Sequence, residues 1–437
     1  MTTHPSLIIA YLLLIFAYSH THGFFSLGSI FMVIFSFLIL LFTDLAKRGD
    51  DKSLNIILKL TLVICVALST LYYGGLYQED ENFVIVNYLI IATCMPVSLL
   101  FLSKTSKHFE LFHRYKFFYL LFFAILLRIF MIISSPQPRI DVYNSLELGS
   151  KSLLELKNPY TLTFPKIYPN QIPTLYGYFP GSAVILMPFT LLLGDPRYAY
   201  VFADFGSAAI LFLILKNLNK KDQQLAELMP LIFLYNPMSL YVIEQSYLEP
   251  LTTFFLFLFV YLYLRNKVSV WPFVAIAVSL TIKQSMILVL LPLLLKLRVT
   301  IKQLAVFTFM VALVIGPFFL WNPKEFIFDL TTGFNPIYNT APTNVSLNVD
   351  SLIYKLTGQQ VNNLIRFSVI IFFVVLIFKK SKNNALGFAY SFTLFTFTIT
   401  LFYVQAFLNY FTFVSSLILI TTAVSLLPDN NRPTTKT

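Results

Sequence analysis

Apolar runs of roughly 20 residues recur along the whole chain and are separated by short polar segments. Each run is long enough to cross a bilayer core of about 30 Å. Inside lipid the backbone must satisfy its own hydrogen bonds, so these runs are predicted to be helices. We predict spans near 6–21, 24–43, 54–73, 83–102, 117–134, 198–217, 226–243, 247–264, 268–283, 284–296, 303–320, 364–378, 385–402 and 404–427. The predicted fold class is an all-α polytopic membrane protein with about 13–14 transmembrane helices.

Two long polar stretches, 135–180 and 321–363, interrupt this pattern. They divide the chain into three predicted parts. Residues 1–116 form an N-terminal membrane portion of four helices, and residues 117–320 form a membrane core that contains the first polar loop, 135–180. Residues 321–437 contain the second polar loop and the C-terminal helices.

Composition agrees with a membrane protein, since 57% of the 437 residues are hydrophobic and only 12% are charged. The net charge is +11, but the basic residues lie in short segments at the ends of spans. This favours topology over nucleic-acid binding as their role, because cytoplasmic loops are enriched in Lys and Arg. The basic segments are Lys47/Arg48/Lys52, Lys104/Lys107/Arg114/Lys116, Lys216/Lys220/Lys221, Arg265/Lys267, Lys296/Arg298/Lys302 and Lys379/Lys380/Lys382.

Placing all six basic segments in the cytoplasm puts both long polar stretches on the opposite side. This arrangement requires residues 181–217 to cross the membrane only once. We therefore expect the short apolar piece 181–194 to be re-entrant or to lie along the membrane surface. The membrane is predicted to be the cell membrane, or the endoplasmic reticulum membrane if the chain is eukaryotic.

The first polar loop offers a candidate for catalysis. Asp141 follows the fifth span by a few residues, and the mixed apolar and polar pattern of 143–156 is compatible with an amphipathic helix on the bilayer. A carboxylate at this level can act on a substrate whose lipid tail stays in the membrane. The alternative is that Asp141 is a solvated loop residue or a helix cap.

Several short motifs occur in a consistent order along residues 117–425. They are Arg128 near a span end, Asp141-Val142-Tyr143, Asn158-Pro159-Tyr160, Tyr176 to Pro180, Asp204, Asn236-Pro237, Glu244-Gln245 with Glu249, Lys283-Gln284 and Gly316-Pro317-Phe318. This series resembles the C-type glycosyltransferases. More narrowly, it resembles the mannosyltransferase-like integral membrane families that use polyprenyl-phosphate sugars. Those families often carry a second carboxylate where Tyr143 stands here.

The resemblance implies a membrane hexosyltransferase that moves a hexose, mannose in the first place, with inversion. The donor would be a polyprenyl-phosphate sugar, and the acceptor a lipid-linked glycan or another acceptor on the outer side of the membrane. Asp141 would be the catalytic base, and Lys283 or Arg139 would stabilise the leaving phosphate. The predicted substrate-binding residues are Arg139, Tyr143, Asn158, Tyr160, Tyr178, Gln245, Glu249 and Lys283.

No cofactor or metal is expected. His20-Thr21-His22 falls short of a closed metal shell, and the chain shows no glycine-rich phosphate-binding loop. Expected partners are the donor, the acceptor and membrane lipids, and no nucleic acid.

Other interpretations stay open at this level. One alternative is a transporter or flippase for lipid-linked glycans, although the sequence shows no internal repeat. An O-antigen polymerase or ligase would also have many spans, but the outer loops of those proteins tend to be rich in Arg and His. Single residues also have structural alternatives: Lys283 can simply extend to the membrane interface, and the loop tyrosines can form an aromatic belt. Asp204 and Glu249 are functional candidates because they lie in or near spans, and pairing of helices or a turn is the alternative for both.

Overall fold

The computed structural model describes residues 3–45, 51–72, 75–103, 110–167, 175–216, 223–332 and 345–427. These residues form helices joined by short connections. The helices are α1 (Thr3–Thr21), α2 (Leu27–Phe42), α3 (Asp51–Leu71), α4 (Glu81–Leu99), α5 (Glu110–Ser134), α6 (Asp141–Leu154), α7 (Gly181–Leu193), α8 (Tyr198–Leu215), α9 (Gln223–Leu234), α10 (Ser239–Glu244), α11 (Glu249–Arg265), α12 (Trp271–Ile282), α13 (Leu290–Lys296), α14 (Ile301–Trp321), α15 (Pro323–Thr332), α16 (Val349–Thr357), α17 (Asn363–Lys380), α18 (Ala385–Phe402) and α19 (Leu408–Leu426). Short 3-10 turns cover Pro159–Thr161 and Gln284–Val289.

Seven helices within these ranges are long and apolar enough to cross a membrane. They lie in α3, α4, α5, α8, α14, α18 and α19, and six shorter apolar helices accompany them. Large apolar side chains point outward, among them Leu89, Phe122 and Phe309, each more than half exposed. Such a surface suits contact with lipid, as expected of a membrane protein and not of a soluble one. The all-helical, polytopic part of the predicted fold class is thereby confirmed.

The N-terminal helices share one buried core with the rest of the bundle. Side chains of α1, α2 and α3 pack in the same apolar cluster as those of α9, α11, α18 and α19. Polar contacts join these parts as well, since the Tyr18 hydroxyl donates a hydrogen bond to Asn236 Oδ1 at 3.0 Å. Helices α18 and α19 lie at the centre of the bundle, with 89% of each span buried.

Basic segments gather at one end of the bundle. Lys296 Nζ donates to the Ser381 carbonyl at 2.8 Å, and Lys380 Nζ donates to the Leu41 carbonyl at 2.5 Å. Gln303 bridges the same region through a 2.7 Å bond to the Lys267 carbonyl. Segments that the charge pattern assigned to one side of the membrane are thus neighbours in space.

Helix α7 begins and ends at the opposite end of the bundle. It has 13 residues, which span about 20 Å and fall short of the bilayer core. Just after α7, Arg197 Nη2 donates to the Ser135 carbonyl at 2.7 Å, at the end of α5. At its start, Gly181 packs directly against Thr281 at the end of α12. How 181–194 lies relative to the membrane stays a prediction.

Two predicted spans are interrupted in the structure. The predicted span 226–243 is divided into α9 and α10, because the Asn236-Pro237 pair cannot continue the helical hydrogen bonding. The predicted span 284–296 consists of the 3-10 turn Gln284–Val289 followed by the short helix α13. The prediction that both segments are apolar was correct. The prediction that each is a single continuous helix was wrong.

The polar stretches are partly helical. The first contains α6, whose polar and apolar faces match the expected amphipathic helix, and its side chains contribute to a second buried cluster with Tyr160, Tyr176 and Ala183. The second contains α15 and α16, while residues 333–344 lie outside the described ranges.

Candidate functional site

A buried ion pair joins the start of α11 to the end of α12. Lys283 Nζ donates a hydrogen bond to Glu249 Oε1, and both side chains are largely buried. Asn409 Nδ2 donates to the same carboxylate oxygen at 3.0 Å. The Lys283 ammonium lies 5.0 Å from the centre of the Tyr410 ring, within the range of a cation–π contact. Two predicted site residues therefore meet, and α19 supplies two partners that the sequence analysis missed.

Two cavities meet at Glu249. The first, which we name the hydroxyl-lined cavity, holds about 490 Å³ of empty space, part of which is open to the outside. Its lining comprises Glu249, Thr252, Lys283, Ser285, Leu288, Thr396, Ile399, Thr400, Tyr403, Gln405, Tyr410 and Phe413. The second, which we name the inner cavity, holds about 390 Å³ of empty space, part of which is open to the outside. It is lined by Asp204, Phe233, Asn236, Ser239, Val242, Glu249, Pro250, Thr253, Thr412 and Ser416. Glu249 is the carboxylate common to both linings.

Tyr178 connects this region to Asp141. Burial raises the pKa of Tyr178 well above its usual value, and the nearby charges of Asp141 and Glu249 raise it further. Both carboxylates therefore lie close enough to the Tyr178 hydroxyl to act on it electrostatically. Asp141 and Glu249, 108 positions apart in the sequence, converge on one phenol.

The backbone around Tyr178 is held from two sides. The Tyr160 hydroxyl donates to the Tyr178 carbonyl at 2.7 Å. On the other side, Gln284 Nε2 donates to the Gly177 carbonyl at 2.6 Å. Because Gln284 follows Lys283 directly, this bond fixes the Tyr178 segment next to the ion pair.

Asp141 is the first residue of α6 and is partly buried. One of its carboxylate oxygens accepts a 2.9 Å hydrogen bond from the Val142 backbone N–H. Burial is the main cause of a raised pKa at this carboxyl group. A raised pKa brings a carboxylate closer to the range in which it is an effective general base. Asp141 does not line either of the two cavities.

Asn158 and Tyr160 support the loop from within. Asn158 Oδ1 accepts a hydrogen bond from the Tyr160 N–H at 3.1 Å and so caps the short 3-10 turn. The Tyr160 ring is 2% exposed and packs against Tyr176 and Phe326. Asn158 and Tyr160 therefore hold Tyr178 in place. Little of the Tyr160 side chain is accessible to a substrate.

The remaining predicted site residues have other surroundings. Arg139 is exposed. Tyr143 is buried beneath Arg197, whose guanidinium carbon lies 4.8 Å from the ring centre. Gln245 Nε2 donates to Glu244 at 3.0 Å. Glu244 in turn accepts a 2.8 Å bond from the Tyr77 N–H in the connection before α4.

Arg197 and Asp195 were not identified from the sequence. Their side chains form an ion pair of 2.6 Å, and Arg197 is fully buried. The position of Arg197 after the turn at Gly194-Asp195-Pro196 was only a weak indication of a buried ion pair. A charged residue between two apolar runs usually lies in solvent. The pair holds the end of α7 against α5 and α6.

Within the described ranges, no group of three or more His, Cys, Asp or Glu side chains is arranged to hold a metal ion. Comparison with known proteins identifies no relative: no protein-family model, curated protein or solved structure matches this chain.

Proposed function

We propose that this chain is a membrane glycosyltransferase of the C-type class. It transfers a hexose, mannose in the first place, from a polyprenyl-phosphate donor to a lipid-linked glycan or another acceptor on the outer side of the membrane. The observation that carries the proposal is that Asp141 and Glu249 both act on Tyr178, while Lys283 pairs with Glu249 and the adjacent Gln284 bonds the Gly177 carbonyl next to Tyr178. In this arrangement the protein has about 13–14 membrane helices and lies in the cell membrane, or in the endoplasmic reticulum if eukaryotic.

Asp141 takes the role of general base. The acceptor oxygen forms a bond to the anomeric carbon while the bond from that carbon to the phosphate oxygen breaks on the opposite face. The acceptor proton passes to the Asp141 carboxylate, and the electron pair of the broken bond leaves with the phosphate. The raised pKa of Asp141 favours this proton transfer.

Lys283 provides positive charge for the departing phosphate. A preorganised cation in a site that excludes water stabilises developing negative charge more effectively than solvent does. The Tyr410 ring and Glu249 hold the ammonium at a fixed position. Because Asp141 lies seven residues after the last residue of α5, the reacting group can approach it while its lipid tail remains in the bilayer.

The inner cavity favours a second candidate function. It places the carboxylates of Asp204 and Glu249 around one space inside a helical bundle, and ionisable residues within a membrane often mark a transport path. A transporter or flippase for lipid-linked glycans is therefore the alternative. The position of Asp141 outside the spans has no role in that alternative.

The test uses the full chain purified into liposomes, with polyprenyl-phosphate mannose and polyprenyl-phosphate glucose as donors. We expect transfer by the wild type, and a loss of about 10²–10⁴-fold in Asp141→Asn. Lys151→Gln is the matched control on the same helix, because the Lys151 side chain is 47% exposed and its ammonium pairs with Glu147. Full activity of folded Asp141→Asn would reject the assigned base. Movement of lipid-linked glycan without transfer would favour the transporter.

A further inference from the structure

The hydroxyl-lined cavity contains two buried polar atoms that lack a hydrogen-bond partner. They are Glu249 Oε2 and Thr396 Oγ1. Glu249 is 5% exposed and Thr396 is 7% exposed. Buried polar atoms in proteins are nearly always hydrogen-bonded. Two unpartnered atoms on the wall of the same cavity therefore point to a ligand that supplies hydrogen bonds.

The rest of the lining defines the chemistry of that ligand. Six of the lining residues carry a hydroxyl group: Thr252, Ser285, Thr396, Thr400, Tyr403 and Tyr410. Three of the lining residues are aromatic, namely Tyr403, Tyr410 and Phe413. Hydroxyl groups exchange hydrogen bonds with other hydroxyls in either direction, and aromatic faces accept the apolar C–H face of a ring. This combination suits a compact ring that carries several hydroxyl groups.

The carboxylate of Glu249 favours a hydroxyl group over a phosphate beside its Oε2 atom. The Lys283 ammonium is hydrogen-bonded to the other oxygen of this carboxylate, Glu249 Oε1. Glu249 Oε2 remains as a free acceptor. An anion beside that oxygen would be repelled, whereas a hydroxyl group would donate to it in a charge-assisted hydrogen bond.

We propose that the hydroxyl-lined cavity binds the pyranose ring of a hexose. Glu249 Oε2 accepts a hydrogen bond from one ring hydroxyl, and Thr396 Oγ1 bonds another. The Tyr410 side of the cavity supports the ring, and the phosphate attached to the sugar lies away from Glu249 Oε2, where the Lys283 ammonium can act on it. This assignment deepens the proposed function and depends on it for its biological meaning, because it places the glycosyl group in a defined subsite.

Saturation-transfer difference NMR on the full chain in lipid nanodiscs tests this assignment. The probes are methyl α-D-mannopyranoside and methyl α-D-glucopyranoside, and cyclohexanol serves as a ring with a single hydroxyl group. We expect saturation transfer to at least one glycoside and none to cyclohexanol. Thr396→Val should weaken binding about fivefold to tenfold, because it removes one hydrogen bond at nearly constant volume.

Thr398→Val is the matched control. Thr398 lies on the same helix, is equally buried and donates to the Leu394 carbonyl at 2.8 Å, but it does not line the cavity. Its glycoside binding should equal that of the wild type. Glu249→Gln is a second variant, at the residue proposed to accept a hydrogen bond from a ring hydroxyl. It should also weaken glycoside binding. Melting temperatures of all variants are measured in the same nanodiscs.

The outcomes separate this subsite from the proposed function. Equal glycoside signals in wild type and Thr396→Val, or equal signals from cyclohexanol, would overturn the subsite. Glycoside binding that depends on Thr396, in a protein without transferase activity, would support the subsite and reject the enzyme. Transfer with an unchanged KM in Thr396→Val would overturn the subsite and leave the enzyme intact.

Discussion

Arg128 of α5 and Asp204 of α8 form a salt bridge of 2.8 Å in which both side chains are almost inaccessible to solvent. The remaining N–H groups of the guanidinium donate to the Ala124 carbonyl at 3.0 Å and to the Leu234 carbonyl at 2.8 Å. The arginine thus joins α5, α8 and α9 through hydrogen bonds. Of the roles open to these two residues from the sequence, pairing of helices is the one that the contacts favour.

Removing one partner of this pair should destabilise the bundle strongly. Arg128→Met leaves the Asp204 carboxylate buried without a counter-charge, which costs about 3–5 kcal/mol. The measurement is the unfolding free energy in mixed micelles with increasing denaturing detergent. The double variant Arg128→Met with Asp204→Leu should recover most of the loss, because no unpaired charge remains.

The exposed pair Lys157–Glu155 provides the control, since its two side chains are 61% and 60% exposed. Lys157→Met should change stability by less than about 1 kcal/mol. If Arg128→Met has an equally small effect, the interhelical role of the buried pair is wrong.

Gly181 should not tolerate a side chain. A Cβ at this position would lie 2.6 Å from the Thr281 carbonyl oxygen, so Gly181→Ala must push the start of α7 away from α12. We expect a loss of about 1–3 kcal/mol in stability. We also expect reduced glycosyl transfer, because the Tyr178 segment precedes Gly181 directly. Thermal unfolding and the liposome transfer assay measure the two effects.

Gly316→Ala is the matched substitution in a helix. A Cβ at Gly316 has no other atom within 4 Å. The substitution should leave the stability of the folded protein unchanged or raise it by about 0.4–1 kcal/mol, because alanine lowers the conformational entropy of the unfolded chain. Similar behaviour of the two alanine variants would contradict the close packing of α7 on α12.

Lys283 should contribute to activity beyond its structural role. Lys283→Met removes the cation and leaves Glu249 unpaired, so both stability and transfer should fall, transfer by about 10²–10³-fold. Adding Glu249→Gln removes the uncompensated charge. The double variant should regain much of its melting temperature without regaining transfer. Recovery of transfer in that protein would show that the lysine acts only on folding.

Asp329 should make stability depend on pH. Burial raises the pKa of Asp329 from 3.8 to about 7, even though its carboxylate accepts a hydrogen bond from the Tyr176 N–H. Between these two pKa values the folded protein binds a proton that the unfolded chain does not. Stability therefore decreases as pH rises from about 4 to about 7 and then levels off.

The measurement is the melting temperature of the nanodisc protein at pH 5 and pH 8. The wild type should melt at a lower temperature at pH 8. Asp329→Asn should reduce this difference and exceed the wild type in stability at pH 8, because it is neutral at both values. An unchanged pH dependence in Asp329→Asn would show that another group titrates.

Local pattern determined the helices of this protein and the position of Asp141. The apolar runs at 54–73, 83–102 and 117–134 correspond to α3, α4 and α5, because backbone hydrogen bonds within a helix connect residues four positions apart. The mixed pattern after Asp141 predicted the amphipathic α6 for the same reason. Pro237 interrupted a predicted span through another local effect.

Only the tertiary structure decided which side chains meet. Asn409 and Tyr410 are more than 120 positions from Lys283, and nothing in their own segment sets them apart from other polar residues at helix ends. Thr396 belongs to a helix that is apolar on all sides, so its sequence pattern does not show which face turns to a cavity. The packing of helices that are distant in sequence determines which side chains come into contact. This packing depends on the shapes of complete helix surfaces and not on the order of residues within one helix.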